Sequence, residues 1–329
     1  EAQARTRARA RWEKTHPGQA WTDLPAAQRE TLIAGERAAD TPRVTLARTV
    51  RACATASEDE AEFVRRLRRA GVLARPRYAA GRMDVVTGYS VATRPSAGER
   101  PIWYGGGRLG EDLTLPRLRE AWPDTPDSAS AAVAEWNAAH RHRKPATPGR
   151  ETREVTAADW ARCDTELRQL RAQLEAVPVD DRDAWARVAR ESAGVFAAWS
   201  HRVEPTPGPL AAAADALGRS AQLKRWPTTP KRVGRLSSSG TALLLMSATK
   251  GGKGIAAEAA LLRQLVKLSV AVYQAHQARG EAERARELAR VIDRELKAVH
   301  DRLPKHPVTV AATTAPSSPE QDALRAATS

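Results

Sequence analysis

Hydrophobic positions recur at helical spacing over most of this chain and at strand spacing over one short stretch, and the boundary between the two regimes organises the reading. The first stretch, EAQARTRARARWEKTH, is polar and helix-permissive. Its Arg5, Arg7, Arg9 and Arg11 wrap around a helix without forming a face. Short helices are predicted over 25–33 and 42–55, each with a proline near its start. In SEDEAEFVRRLRRAG, Ser57 and Glu60 have the spacing of a capping box and Asp59 adds negative charge at the helix start. Phe63, Val64 and Leu67 make the buried stripe, and Gly71 is the expected C-terminal cap.

After Gly71 the period changes from helical to alternating. VLARPRYA, VVTGYSVAT and PIWY read as three short strands joined by the turn segments AAGRMD and RPSAGER. Hairpin-length turns imply an antiparallel sheet. A glycine loop and a helix over 115–122 follow, and then a helix over 127–140. KPATPGRET marks a linker. Beyond it helical stripes return: Trp160, Cys163, Leu167, Leu170, Leu174; then Trp185, Val188, Ser192, Phe196, Trp199; then Leu210, Ala213, Ala214, Leu217, Ala221. WPTTPKRVGRLSSSG interrupts them. Two long helices then carry Leu261, Leu265, Leu268, Val272 and Leu288, Ile292, Leu296, Val299, Leu303, with Gly280 at a turn between them.

The predicted fold is mostly α: a small α+β module with an antiparallel three-stranded sheet, followed by an antiparallel helical bundle. The expected division is a helical extension over 1–50, the module over 51–143, a linker over 144–155, the bundle over 156–303 and a disordered tail over 304–329, where Pro, Thr, Ser and Ala dominate.

No apolar run reaches the roughly 18–20 residues of a membrane span and no leader pattern opens the chain, so no membrane insertion and a cytoplasmic location are expected. Cys53 and Cys163 are isolated on helical stripes and read as core residues, not as zinc ligands or a disulfide. The net charge of +14 suits a polyanion partner, although 44 of the 53 basic residues are arginine, a bias that high-GC codon usage also produces. Placement says more than the sum. Between Arg65 and Arg82 lie seven arginines and no acid, and Arg75 and Arg77 share one strand face opposite Val72, Ala74 and Tyr78. Trp103 and Tyr104 lie on the next strand. Two readings stay open for that sheet: a stacking platform for single-stranded nucleic acid, or a solvated face whose aromatic partners are buried. The residues expected to touch DNA are Arg65, Arg66, Arg69, Arg75, Arg77, Arg82, Trp103 and Arg108.

Gly105, Gly107 and Gly110 spell the dinucleotide fingerprint G-x-G-x-x-G, but without a parallel strand before them and with Glu111 and Asp112 directly after, where they would repel a pyrophosphate. The glycines are read instead as a sharp exit from the sheet, with Thr114 capping a helix that Pro116 helps start. TKGGKGIAAE lacks the lysine-Ser/Thr ending of a phosphate loop and reads as a break between helices. His140 and His142 form an H-x-H pair among Arg141, Arg143 and Lys144, where like charge disfavours a metal and a helix C-terminus favours protonated histidines. No Ser-His-acid grouping or H-E-x-x-H is visible in the sequence. No catalytic residue, metal site or cofactor is expected.

Residues 52–122 resemble a segment of plasmid mobilization relaxases just downstream of their nicking domain. The likeness rests on EAEFVRRLRRAGVLARPRY, VVTGYSVA and WYGGGRLGEDLTLPRL, and the helical remainder is similar to the tails of actinobacterial members. The resemblance implies contact with DNA, single-stranded or nicked plasmid DNA, and docking to a coupling protein or other relaxosome proteins. It brings no catalytic residue: Tyr78, Tyr89, Tyr104 and Tyr273 all lie outside an N-terminal helical context, and the H-x-H has arginine at its centre. With Glu1 in place of an initiator methionine, it implies a relaxase lacking its catalytic domain, or a piece of one. The resulting expectation is a DNA-binding accessory region of a mobilization relaxase; the competing one is a protein-interaction helical scaffold with no direct DNA role.

Overall fold

The computed structural model describes residues 2–39, 42–153, 156–222 and 255–297. The interrupting stretch WPTTPKRVGRLSSSG, most of TKGGKGIAAE, Val299, Leu303 and the 304–329 tail lie outside the described residues. Helices α1 (Ala2–Thr15) and α2 (Ala26–Ala39) pair around Ala8, Trp21, Leu24 and Ile33. Then come α3 (Pro42–Ala56), α4 (Glu60–Arg69), β1 (Leu73–Ala79), β2 (Arg82–Ala92), β3 (Tyr104–Gly105), α5 (Gly106–Leu109), α6 (Leu115–Arg119) and α7 (Pro126–His140). The helical part has α8 (Ala157–Glu175), α9 (Arg182–Val203), α10 (Pro209–Ser220), α11 (Ile255–Ala278) and α12 (Ala282–Arg290), which runs into a π-helical turn over Val291–Leu296. The fold is mostly α, with the small antiparallel three-stranded sheet in the order β1-β2-β3.

Besides the small cluster between α1 and α2, two larger hydrophobic cores form among the described residues. One lies under the sheet, where Phe63, Leu67, Tyr89, Val91, Leu113, Trp122 and Trp136 meet. The other surrounds α9, which is buried from Val188 through Ser200 and owes its close contacts to alanines. Helix α3 serves both: Leu46, Val50 and Cys53 face the sheet core while Ala52 joins the bundle core. The boundary expected between residues 50 and 51 therefore falls inside one helix. The expected linker is fastened too. Arg150, in a short turn at Arg150–Thr152, donates to Glu62 Oε2 at 3.0 Å and to the Ala56 carbonyl at 2.8 Å.

The start of α4 corrects the expected cap. Asp59, not Ser57, is the N-cap: its Oδ1 accepts from the Glu62 N–H at 2.7 Å, and Glu62 Oε2 accepts from the Glu58 N–H at 2.9 Å. Ser57 Oγ instead donates back to the Cys53 carbonyl at 2.7 Å, closing α3. Gly71 ends α4 with φ +77, as its sequence position implies, so the chain turns directly into β1.

The glycine loop does leave the sheet sharply, for packing reasons. A Cβ on Gly106 would run into the Leu113 carbonyl oxygen and lie 2.9 Å from the Tyr89 ring, and one on Gly110 would collide with Asp112 Oδ1. Of these two, only Gly110 belongs to the fingerprint. Thr114 occupies the N-cap position of α6 but makes no side-chain cap; its hydroxyl donates to the Glu111 carbonyl at 3.1 Å. Asp112, read from sequence as a charge that would repel phosphate, is buried against Arg51.

Candidate nucleic-acid interface

Strand alternation sends Ala74, Pro76 and Tyr78 inward and Leu73, Arg75 and Arg77 outward. Antiparallel register then sets Arg75 opposite Ser90 and Arg77 opposite Gly88, and Ser90 in turn opposite Gly105. Small residues on β2 and β3 thus leave the outer face flat, so long side chains from β1 can lie across it. The Arg75 guanidinium does so, with its carbon 4.2 Å from the centroid of the Trp103 ring. Arg77 lies over Gly88: a Cβ there would be 3.0 Å from an Arg77 terminal nitrogen. The register shift after Arg77 frees Thr87, whose hydroxyl donates to the Arg77 carbonyl at 3.1 Å and holds the strand at that point. β1 is the outer strand of the sheet, and Pro76 suits an edge because it has no N–H to pair.

Arg75 and Arg77 are exposed, and no carboxylate among the described residues forms an ion pair with either. The guanidinium over the indole is an exposed cation–π contact, worth about 0.5–1 kcal/mol. It orients both groups without neutralising the charge. The third strand is shorter than PIWY implied, only Tyr104–Gly105, so Trp103 lies just before it; Tyr104, one residue on, packs against the inner core, and the two neighbouring aromatics have opposite fates. Trp103 is the one on the outer face.

The other expected DNA contacts divide. Arg69 ends α4 in solvent and Arg108 is exposed on α5, where its carbonyl accepts from Arg43 at 3.3 Å. Arg82 is exposed beside Asp84 at 2.6 Å; the hydrogen bond between them holds the Asp84 carboxyl below its ordinary range. Arg65 and Arg66 are corrected: they are internal. Arg65 Nε donates to Glu151 at 2.9 Å and its NH1 to Glu135 at 3.4 Å, while Arg66 pairs with Glu62 at 2.6 Å. Burial pushes the Glu62 pKa up, but Arg66, the Glu58 N–H and Arg150 together hold it below the usual range. The arginine run is acid-free along the chain but not in space, because its buried members face carboxylates from α7, from the 150–152 turn and from α4 itself. With both carboxylate and guanidinium withdrawn from water, these pairs fix structure and are closed to phosphate.

One grouping escaped the sequence. At the end of α10, Ser220 Oγ meets His276 Nε2, and His276 Nδ1 meets Glu281, with Arg279 2.9 Å from the same nitrogen. The connectivity is that of a serine–histidine–acid relay. Its place is not: Ser220 is 3% and His276 2% exposed, so the relay has no face from which a substrate can approach. It ties α10, α11 and the turn before α12. Burial lowers the His276 pKa against the pull of Glu281, and Glu281, despite its own desolvation, is held at about 2 by Arg279 and His276. In the unfolded chain His276 takes up its proton near pH 6.5, above its folded value, so the unfolded state binds more protons as pH falls through that window. Stability is expected to be full above about pH 7 and to fall toward pH 5. Urea midpoints measured across this range should drop in the parent and drop less in His276→Gln; equal slopes in the two proteins would rule the histidine out as the cause.

No family model, curated protein or solved structure matches the chain. Among the described residues, no helix is long and apolar enough to cross a membrane, and no three His, Cys, Asp or Glu side chains converge as a metal site.

Proposed function

We propose that the chain is a DNA-binding accessory region that holds single-stranded DNA on the outer face of its sheet, within a mobilization relaxase system. One observation carries the reading: Arg75 stacked on Trp103 beside Arg77, with which no carboxylate among the described residues pairs, on a face kept flat by Gly88, Ser90 and Gly105. An indole supplies a stacking surface indifferent to base identity, and exposed guanidiniums neutralise phosphates. Both are needed for a single strand, whose bases are free to leave the helix axis. A solvated face with no ligand would not require the Trp103 indole outside the core.

The relaxase context rests on the resemblance over residues 52–122. In that context the sheet module contacts transferred DNA, the helical bundle docks a coupling protein or other relaxosome protein, and the work is cytoplasmic. The reading assigns no nicking chemistry to these residues.

Fluorescence anisotropy with labelled oligothymidylate over a sodium chloride series tests it. The binding constant should fall linearly on a log–log plot, and Arg75→Ala/Arg77→Ala should flatten the slope by about 1.4, two phosphates at roughly 0.7 each. Trp103→Ala should weaken binding by about 1–3 kcal/mol. Salt-independent binding, or a double variant identical to the parent, would leave the scaffold role standing instead.

A further inference from the structure

We infer that the turn at residues 140–144 is a second phosphate-binding site, on which the DNA strand held by the outer sheet face continues after passing the edge of β1. This rests on the single-strand reading above and adds the path.

The turn carries an anomaly. His142 has φ +52 and is the one non-glycine residue with positive φ among the described residues; at Gly18, Gly71, Gly81, Gly98 and Gly280 the chain uses glycine for such a backbone. It closes α7 as a glycine usually does, with His142 N–H donating to the Ala139 carbonyl at 3.2 Å and Arg143 N–H to the Ala138 carbonyl at 2.9 Å. A side chain in this region is strained relative to glycine, and such strain points to use of the side chain. The negative end of the helix dipole accounts for cations here, but not for an imidazole where glycine is easier to fit.

The turn is also fixed and charged. The Arg68 guanidinium donates to the Arg143 carbonyl, pinning the backbone while the side chains of Arg141, Arg143 and Lys144 stay exposed. No acid occurs from residue 136 through 150. Among the described residues no carboxylate forms an ion pair with Arg141, Arg143 or Lys144.

The two sites are contiguous. Tyr78, next to Arg77 on β1, donates its hydroxyl to Asn137 Oδ1 at 2.5 Å, one helical turn before Arg141. Burial raises the Tyr78 pKa and the Arg141 charge opposes it, in keeping with the Tyr78–Asn137 contact between strand edge and helix end. From Trp103 and Arg75, cations therefore continue through Arg77 and around the outer edge of β1 to Arg141 and Arg143. Arg75 and Arg77 are about 6.8 Å apart along the strand, a spacing of the order of one nucleotide step in an extended single strand. A short strand fills the sheet face; a longer one reaches the turn.

The experiment compares labelled oligothymidylates of roughly six and roughly twenty nucleotides, a range that brackets common single-strand site sizes. The parent should bind the longer one more tightly than chain length alone explains. Arg141→Ala/Arg143→Ala/Lys144→Ala should weaken the longer one about tenfold or more and leave the shorter within about twofold. His142→Gly should raise the thermal midpoint yet weaken the longer one about threefold, a pairing of signs that a purely structural histidine does not give. If the triple variant binds the longer strand like the parent, or loses both strands equally, the second site is wrong while the sheet face stands. If the parent fails to bind even the shorter strand, the single-strand reading itself falls, and this inference with it.

Discussion

Arg51→Ala is expected to lower unfolding free energy by about 3–5 kcal/mol, among the largest single losses this chain can show. Arg51 is 5% exposed and donates Nε to Asp112 Oδ2 at 2.8 Å and a terminal nitrogen to Oδ1 at 3.0 Å. Asp112 also accepts from Gln222 Nε2 at 2.5 Å. The bidentate pair therefore joins three pieces: α3, the glycine loop and the end of α10. Burial alone would raise the Asp112 pKa, but Arg51 and Gln222 hold it below the usual carboxylate range. Truncating Arg51 leaves that carboxylate buried with its main cation gone, and the desolvation penalty is then opposed only by the Gln222 hydrogen bond and the Arg190 charge. Asp112→Ala should be comparably harmful, since it strands the guanidinium. The pair Arg51→Met/Asp112→Leu removes both charges and should recover much of the loss, because apolar replacements of similar volume carry no desolvation cost. Urea unfolding with linear extrapolation measures all three variants. If Arg51→Ala costs less than about 1 kcal/mol, water reaches the site and the junction is not the clamp described.

The elements whose signals are local were legible in sequence, and the partners that close them in space were not. The switch from period 3.6 to period 2 after Gly71 located the sheet, because φ +77 at a helix end and alternating burial are set within a few residues. β2 begins at Arg82, earlier than the alternation indicated, because Arg82, Met83 and Asp84 are all exposed and the one apolar residue among them, Met83, does not alternate with a buried face. The pairing of Arg75 and Arg77 on one face followed from alternation alone. By contrast, Arg65 meets Glu151 across 86 residues and Glu135 across 70, and Arg51 meets Asp112 across 61. No periodicity encodes such contacts. Sequence alone thus makes Arg65 and Arg66 surface cations, whereas the helix carrying them is covered on two sides. A weak signal existed: three acids among the first residues of α4 and its cap give a buried arginine an i,i+4 partner, as Glu62 and Arg66 show. The relay of Ser220, His276 and Glu281 likewise joins the ends of separate helices. Of the candidate interface, then, the sequence revealed the side of β1 that faces out. It did not reveal that Trp103 lies under Arg75, which depends on how the 93–103 segment returns to pair with β2.

Trp136→Ala should cost about 3–5 kcal/mol and weaken the module that carries the interface. Trp136 is fully buried, stacks 5.7 Å from Tyr89 and meets Phe63 edge-on at 6.3 Å. Its indole N–H donates to Glu60 Oε1 at 2.7 Å, and the same carboxylate takes a bidentate pair from Arg119 at 2.6 and 3.0 Å. Two contributions can be separated. Trp136→Phe keeps an aromatic ring but loses the donor, and Glu60 retains Arg119, so a loss of about 1–2 kcal/mol is expected. The remainder in Trp136→Ala belongs to the cavity left between α4, α7 and the sheet. Because Tyr89 rests on this ring and its hydroxyl donates to the Leu113 carbonyl at 2.6 Å, the cavity also loosens the glycine loop and, through it, the base of Trp103. Chemical denaturation gives the two free energies; because the chain has nine tryptophans, the Trp103 emission is isolated as the difference between spectra with and without Trp103→Phe, taken in the parent and in the Trp136→Ala background, and a shift in that difference reports the coupling. A Phe variant as damaged as the Ala variant would assign the whole effect to the hydrogen bond with Glu60 and none to the packing of the aromatic cluster.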